Sequence, residues 1–132
     1  MRRTGFALLC LLLAITSCKK DNNTNPLLGT WELRQVFGGW TGVTNYEPGN
    51  GNLAIFSDNG QYTRNVVTPD TSYTLAYKYS IVEPDECNEN LIFSSIDDNS
   101  EFRQYATVSH DSLFISDGLC ILDGSALTYV RK

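Results

Sequence analysis

Along residues 27–132 the apolar positions fall in short β-rich runs, broken by turn chemistry every 8 to 14 residues. No stretch sustains the 3.6-residue apolar period of an amphipathic helix, so the pattern is that of a sandwich or barrel. Residues 72–82 alternate most cleanly. Tyr73, Leu75, Tyr77, Tyr79 and Ile81 share one face, and Thr74, Ala76, Lys78 and Ser80 share the other. Further strands are predicted over 31–37, 52–57, 61–68, 91–96, 101–109 and 112–117, with a last one starting at Ile121 or Ala126 and ending at Arg131. Phe102, Ala106 and Val108 lie on one side of their strand, whereas residues 53–56 are apolar on both faces. Asn59-Gly60 is a hairpin signal, because glycine takes positive φ at no steric cost. Residues 38–51 read as a glycine-rich loop holding Trp40 and Tyr46. The expected fold is all-β: eight antiparallel strands joined by hairpins and closed into an up-and-down barrel, which leaves no exposed edge.

The N-terminus has a different pattern. Arg2 and Arg3 precede an unbroken apolar run over residues 6–15. Ten residues suit the core of a signal peptide and fall short of the roughly 20 needed to span a bilayer. The run ends in Ile15-Thr16-Ser17-Cys18, an aliphatic residue, two small ones and a cysteine. This resembles the lipobox of bacterial lipoproteins, whose cysteine is acylated before cleavage. A buried N-terminal helix is the competing reading, but the segment has no polar face. The resemblance implies a signal peptide over 1–17, a lipid on Cys18 and a location in the cell envelope, on either the periplasmic or the surface side of an outer membrane. Two or more acyl chains, palmitate among them, would anchor the protein stably. Residues 18–26 are polar, end in Pro26 and read as a tether. The folded domain then covers 27–132.

Removing residues 1–17 leaves eight basic against 15 acidic side chains, a net charge of −7. Such a surface repels nucleic acid. It leaves the N-terminal lipid as the expected contact with the membrane. Cys87 and Cys120 remain as a pair in an oxidising compartment and invite a disulfide. Two free thiols or a thiol metal site are the alternatives. The metal reading lacks ligands, since there is no CxxC and His110 is the single histidine.

Catalytic chemistry finds little footing. His110 sits in Ser109-His110-Asp111-Ser112, but sequence neighbours do not converge like a triad, and the stretch reads as a polar turn. Asp85/Glu86 and Asp97/Asp98 are carboxylate pairs in expected loops. Residues 83–89 and 97–101 offer oxygen ligands for a weak calcium site but have no EF-hand spacing. No phosphate-binding glycine loop, cofactor motif or metal motif stands out, and no enzyme is expected. A closed barrel would point Tyr73, Tyr77 and Tyr79 inward, either to meet a ligand or to fill the core. Arg64 and Arg103 lie mid-strand and would neutralise a ligand carboxylate if they faced in; otherwise they are solvated charges.

Gly29-Thr30-Trp31 opens the first strand and resembles the G-x-W of lipocalins and lipocalin-like bacterial lipoproteins. Phe56-Ser-Asp-Asn-Gly-Gln-Tyr62, Asp111-Ser-Leu-Phe-Ile115 and Leu127-Thr-Tyr-Val-Arg131 follow in the order familiar in that group. The resemblance implies that Arg131 lies over Trp31 and ties the last strand to the first, a cation–π contact of roughly 0.5–2 kcal/mol. It also implies a barrel that holds a small apolar or amphipathic molecule. The alternative is a module that binds another protein or a glycan, its interior plugged by aromatic rings.

Overall fold

A computed structural model describes residues 24–132. The expected signal peptide, Cys18 and most of the tether lie outside them. The described chain contains no helix and consists of nine strands: β1 Gly29–Gly38, β2 Gly42–Asn45, β3 Leu53–Phe56, β4 Gln61–Val67, β5 Ser72–Ile81, β6 Leu91–Ser95, β7 Glu101–Ser109, β8 Ser112–Ser116 and β9 Ser125–Arg131. From β3 to β9 each strand pairs with its sequence neighbour, β3 lies against β1, and β9 returns to β1. Eight strands therefore close an up-and-down barrel. The closing seam is antiparallel, from Trp31 opposite Arg131 to Gly38 opposite Ser125, with a bulge between Leu33 and Gln35.

The ninth strand, β2, is an addition to the expected eight. β3 covers β1 only from Gly29 to Glu32, so the second half of β1 outruns it. Residues 42–45 fold back to pair with residues 35–38 on the same edge. Part of the expected loop is thus a short hairpin, and residues 46–51 continue over the outer face of β1. At the other end of the chain, the last strand starts at Ser125, and Ile121 lies in the preceding loop.

Alternation fixes the inside of the ring. Trp31, Leu33, Ala54, Phe56, Tyr62, Leu91, Phe93, Ala106, Leu113, Ile115, Leu127 and Tyr129 form one core, none of them more than 9% exposed. The aromatic members are in contact: Phe56 and Phe93 flank Tyr62 at centroid distances of 4.7 and 4.6 Å. Rings meeting at tilted angles add to the area they bury.

The end where β1 begins, here the lower end, is tightly closed. The Trp31 indole donates to the Leu27 carbonyl at 2.7 Å. Arg131 lies 4.1 Å above the Trp31 ring, and its guanidinium donates to the carbonyls of Leu28 and Pro26. Gly29 makes room for it: at φ 123°, a Cβ there would sit 2.9 Å from Arg131 Nη1. On the outer side, Glu32 is 5% exposed, paired with Arg34 at 3.0 Å and Lys132 at 3.6 Å, and accepting from the Gly49 amide. A disulfide joins Cys87, in the loop before β6, to Cys120, in the loop before β9. The two cysteines are 33 residues apart in sequence, and closing a loop of that size contributes about 3–4 kcal/mol by restricting the unfolded chain.

Candidate functional site

The inner rows change character from the lower end to the upper. Trp31, Phe56, Leu91 and Leu113 are at most 2% exposed at the lower end. On the upper side the same inward parity continues through Val66, Leu75, Tyr77 and Phe102. There the side chains are only half-buried or open, with Tyr73 at 49% and Phe102 at 42% exposure. A closed barrel should hide its inward residues, so this half of the interior is accessible from outside.

Strand pairing explains the opening. β5 meets β6 only from Tyr77 opposite Ser95 to Ile81 opposite Leu91. Residues 72–76 therefore have β4 on one side and, among the described residues, no strand on the other. A cleft of 430 Å³ occupies the gap, lined by Leu75, Tyr77, Ser95, Ile96 and their neighbours. A second cleft of 270 Å³ adjoins Val66 and Tyr73. At the lower end a crevice of only 70 Å³ lies between Leu27, Ile81 and Leu91. The largest of these falls within the range of small-molecule sites, roughly 300–1,000 Å³.

Arg64 lies at the boundary between the packed and open halves. It shares the inward face of β4 with Tyr62 and Val66, opposite Leu75 of β5. It is half-buried, and among the described residues no carboxylate lies within ion-pair distance of it. Its charge acts on the hydroxyls of both Tyr62 and Tyr129, lowering their pKa. Desolvation by burial outweighs that influence and holds both phenols above their ordinary value; at Tyr62 the neighbouring Tyr129, whose phenolate would repel a second one, adds to the rise. Tyr129 arrives from β9, which β1 and β3 separate from β4. Its hydroxyl and that of Tyr62 approach each other without reaching hydrogen-bond geometry, and the Tyr129 oxygen is left buried without a partner.

The residues singled out from the sequence separate into groups. Tyr73, Tyr77 and Arg64 face the open half. Tyr77 packs edge-on to Phe102 at 5.4 Å. Tyr79 also points inward, but its hydroxyl accepts from Asn25 at 2.9 Å and donates to the Ser57 carbonyl at 3.0 Å. With its ring against Phe56, Tyr79 closes the lower end, and its one hydroxyl donor is already committed to the protein. Arg103 takes the outward of the two alternatives. It opposes Ile92 on the outer face and lies 3.6 Å from Asp85, because it alternates with the inward Phe102 and Gln104. His110 occupies an exposed turn at φ 53°, with Ser109 Oγ 3.3 Å from its Nδ1. Asp98 caps its own turn, and bonds from the Ser100 hydroxyl and amide hold its carboxyl at about 2. Among the described residues, no group of three His, Cys, Asp or Glu side chains converges on a point that could hold a metal ion.

Tyr62 and Tyr129 were not singled out by sequence reasoning. Both are inside, at 5% and 1% exposure, Tyr62 on the face of Arg64 and Tyr129 on that of Leu127. Their meeting across the interior depends on the tilt of the closed sheet, which leaves no local signal. Comparison with protein-family models, with curated proteins and with solved structures gives no match.

Proposed function

We propose that this protein is a lipid-anchored binding protein of the cell envelope, not an enzyme, and that it takes a small amphipathic ligand into the open half of its barrel. One observation carries the reading: the inward-facing Leu75 and Tyr77 line a 430 Å³ cleft, Tyr73 lines the adjoining one, and Phe102, packed on Tyr77, is exposed with them. Apolar surface that faces inward yet stays wet gains free energy when a ligand covers it, at about 25 cal/mol per Å². The anchored, extracytoplasmic setting rests on the lipobox-like run before Cys18, and the disulfide accords with an oxidising compartment. The lipocalin-like character rests on Gly29-Thr30-Trp31 and on Arg131 over the indole.

A second reading has its own support. Trp40, Leu119 and Leu122 are 87%, 79% and 100% exposed in loops, and the packed lower half leaves no room for a large cargo. Exposed apolar loops of this kind suit a protein or glycan partner. Native mass spectrometry of the mature chain, purified without its acyl chains, separates the two. The ligand reading expects a bound species of a few hundred daltons, or saturable binding of anilinonaphthalene sulfonate that Tyr77→Ala and Phe102→Ala weaken. An unliganded mass together with no saturable probe binding would transfer the function to the loops.

A further inference from the structure

The ligand's headgroup follows from the arginines. Four lie among the described residues, and three of them are engaged. Arg34 pairs with Glu32, Arg103 pairs with Asp85, and Arg131 donates to two carbonyls while lying on Trp31. Arg64 alone has neither an ion pair nor a side-chain hydrogen bond to another described residue, although it faces the interior and is half-buried. Cations removed from water are ordinarily paired, because desolvation without compensation is costly. The second observation is independent. Tyr129 is 1% exposed, and its hydroxyl has no partner in hydrogen-bond geometry among the described residues, although buried hydroxyls are nearly always satisfied. Arg64 and Tyr129 come from β4 and β9, two strands separated by β1 and β3, and both lie on inward faces, where the Arg64 charge reaches the hydroxyls of Tyr129 and Tyr62.

We propose that Arg64 and Tyr129 form the seat of a carboxylate carried by the amphipathic ligand, a proposal that rests on the ligand-binding reading above. The guanidinium fork offers two parallel N–H donors to the two carboxylate oxygens, and the tyrosine hydroxyl supplies a third donor. The apolar part of the ligand lies upward from there, against Val66, Leu75, Tyr77 and Phe102, towards the gap beside β5. One cation with a neutral hydroxyl matches a single negative charge. A phosphate dianion would bring a second charge into the interior with nothing to balance it.

Decanoate and 1-decanol test the assignment, since they share a chain and differ in the head. Their binding is measured by calorimetry at pH 8, where decanoate is ionised and arginine charged. The expected result is decanoate tighter than decanol by about tenfold or more, the scale of one charge-assisted hydrogen-bonded pair. Arg64→Gln should abolish that preference, and Arg64→Lys, which keeps the charge and loses the fork, should retain part of it. Tyr129→Phe should weaken decanoate several-fold and leave decanol unchanged. Equal binding of the two probes by the wild-type chain, with no change in Arg64→Gln, overturns the carboxylate seat and leaves the ligand reading standing. If neither probe binds the wild-type chain, both fall. The wild-type comparison needs no variant to fold, so it decides the matter even if Arg64→Gln is unstable.

Discussion

Tyr129 is buried to 1% exposure beside Leu33 and Leu113, so its ring stabilises the core through its area. Its unpartnered hydroxyl subtracts from that gain, since a buried polar group without a hydrogen bond costs roughly 1–3 kcal/mol. A phenylalanine would keep the ring and remove the penalty. Tyr129→Phe is therefore expected to raise the stability of the ligand-free protein by about 1 kcal/mol. In urea this would appear as a higher midpoint with an unchanged slope. A loss of stability would mean that the hydroxyl is satisfied in solution, and the argument for its role in binding would weaken with it. The same substitution should impair decanoate binding, so stability and binding move in opposite directions, as they do where a site holds groups poised for a ligand. Glu32 shows the contrary arrangement: a buried carboxylate with two cations and a backbone amide around it, settled without any ligand.

Between β8 and β9, one aspartate organises a loop. Asp117 Oδ2 accepts from the Ser125 amide at 2.7 Å and the Ser125 hydroxyl at 3.0 Å, and Oδ1 accepts from Gln104 at 3.2 Å. Burial pushes its carboxyl up, but these bonds outweigh burial and hold the pKa below its ordinary value. A carboxylate with a depressed folded-state pKa stabilises fully above the ordinary aspartate value, near pH 4, and loses that stabilisation as pH falls through the lower folded value. Asp117→Asn should therefore melt below wild type at pH 7, and the two melting curves should converge as the pH is brought well under 4. A gap independent of pH would show that the charge is not what holds the loop. The loop also illustrates what local pattern leaves undetermined. Ile121 and Leu122 are apolar and look like the start of a strand, yet they are 51% and 100% exposed, because Asp117 and the disulfide hold them out of the sheet. β2 escaped notice for a different reason: it exists because β1 is longer than β3, and strand-length mismatch is a property of pairs of elements. The inward row on β5, by contrast, was legible from alternation alone. So was the turn at Gly60, whose φ is 77°.

At the scale of the whole barrel, local alternation states which side chains face in, and closure decides which of them meet. Alternation puts Arg64 on one face with Tyr62, but which way that face points and which group lies across from it depend on closure and on the offset accumulated around eight strands. The opening of the wall likewise follows from β6 ending at Ser95 while β5 begins at Ser72, two strands whose shared length covers only Tyr77 to Ile81 of β5. Two regimes of stability should result. Around Trp31, Leu33, Leu113 and Tyr129 the strands are paired on both edges, and their amides exchange with solvent only through global unfolding, with protection factors of about 10⁴ or more. In an antiparallel pair successive amides point to opposite edges, so along residues 72–76 every second amide donates to β4 and the others face the gap. Residue-resolved hydrogen exchange should therefore alternate along this stretch, with the gap-facing amides exchanging orders of magnitude faster than their neighbours. Uniformly strong protection from 72 to 76 would mean that the wall is closed in solution, and the accessible half of the interior would vanish with the gap. If the alternation is present and decanoate suppresses it, the ligand lies against the open wall, because the fast amides belong to the stretch of β5 that carries the inward Tyr73 and Leu75.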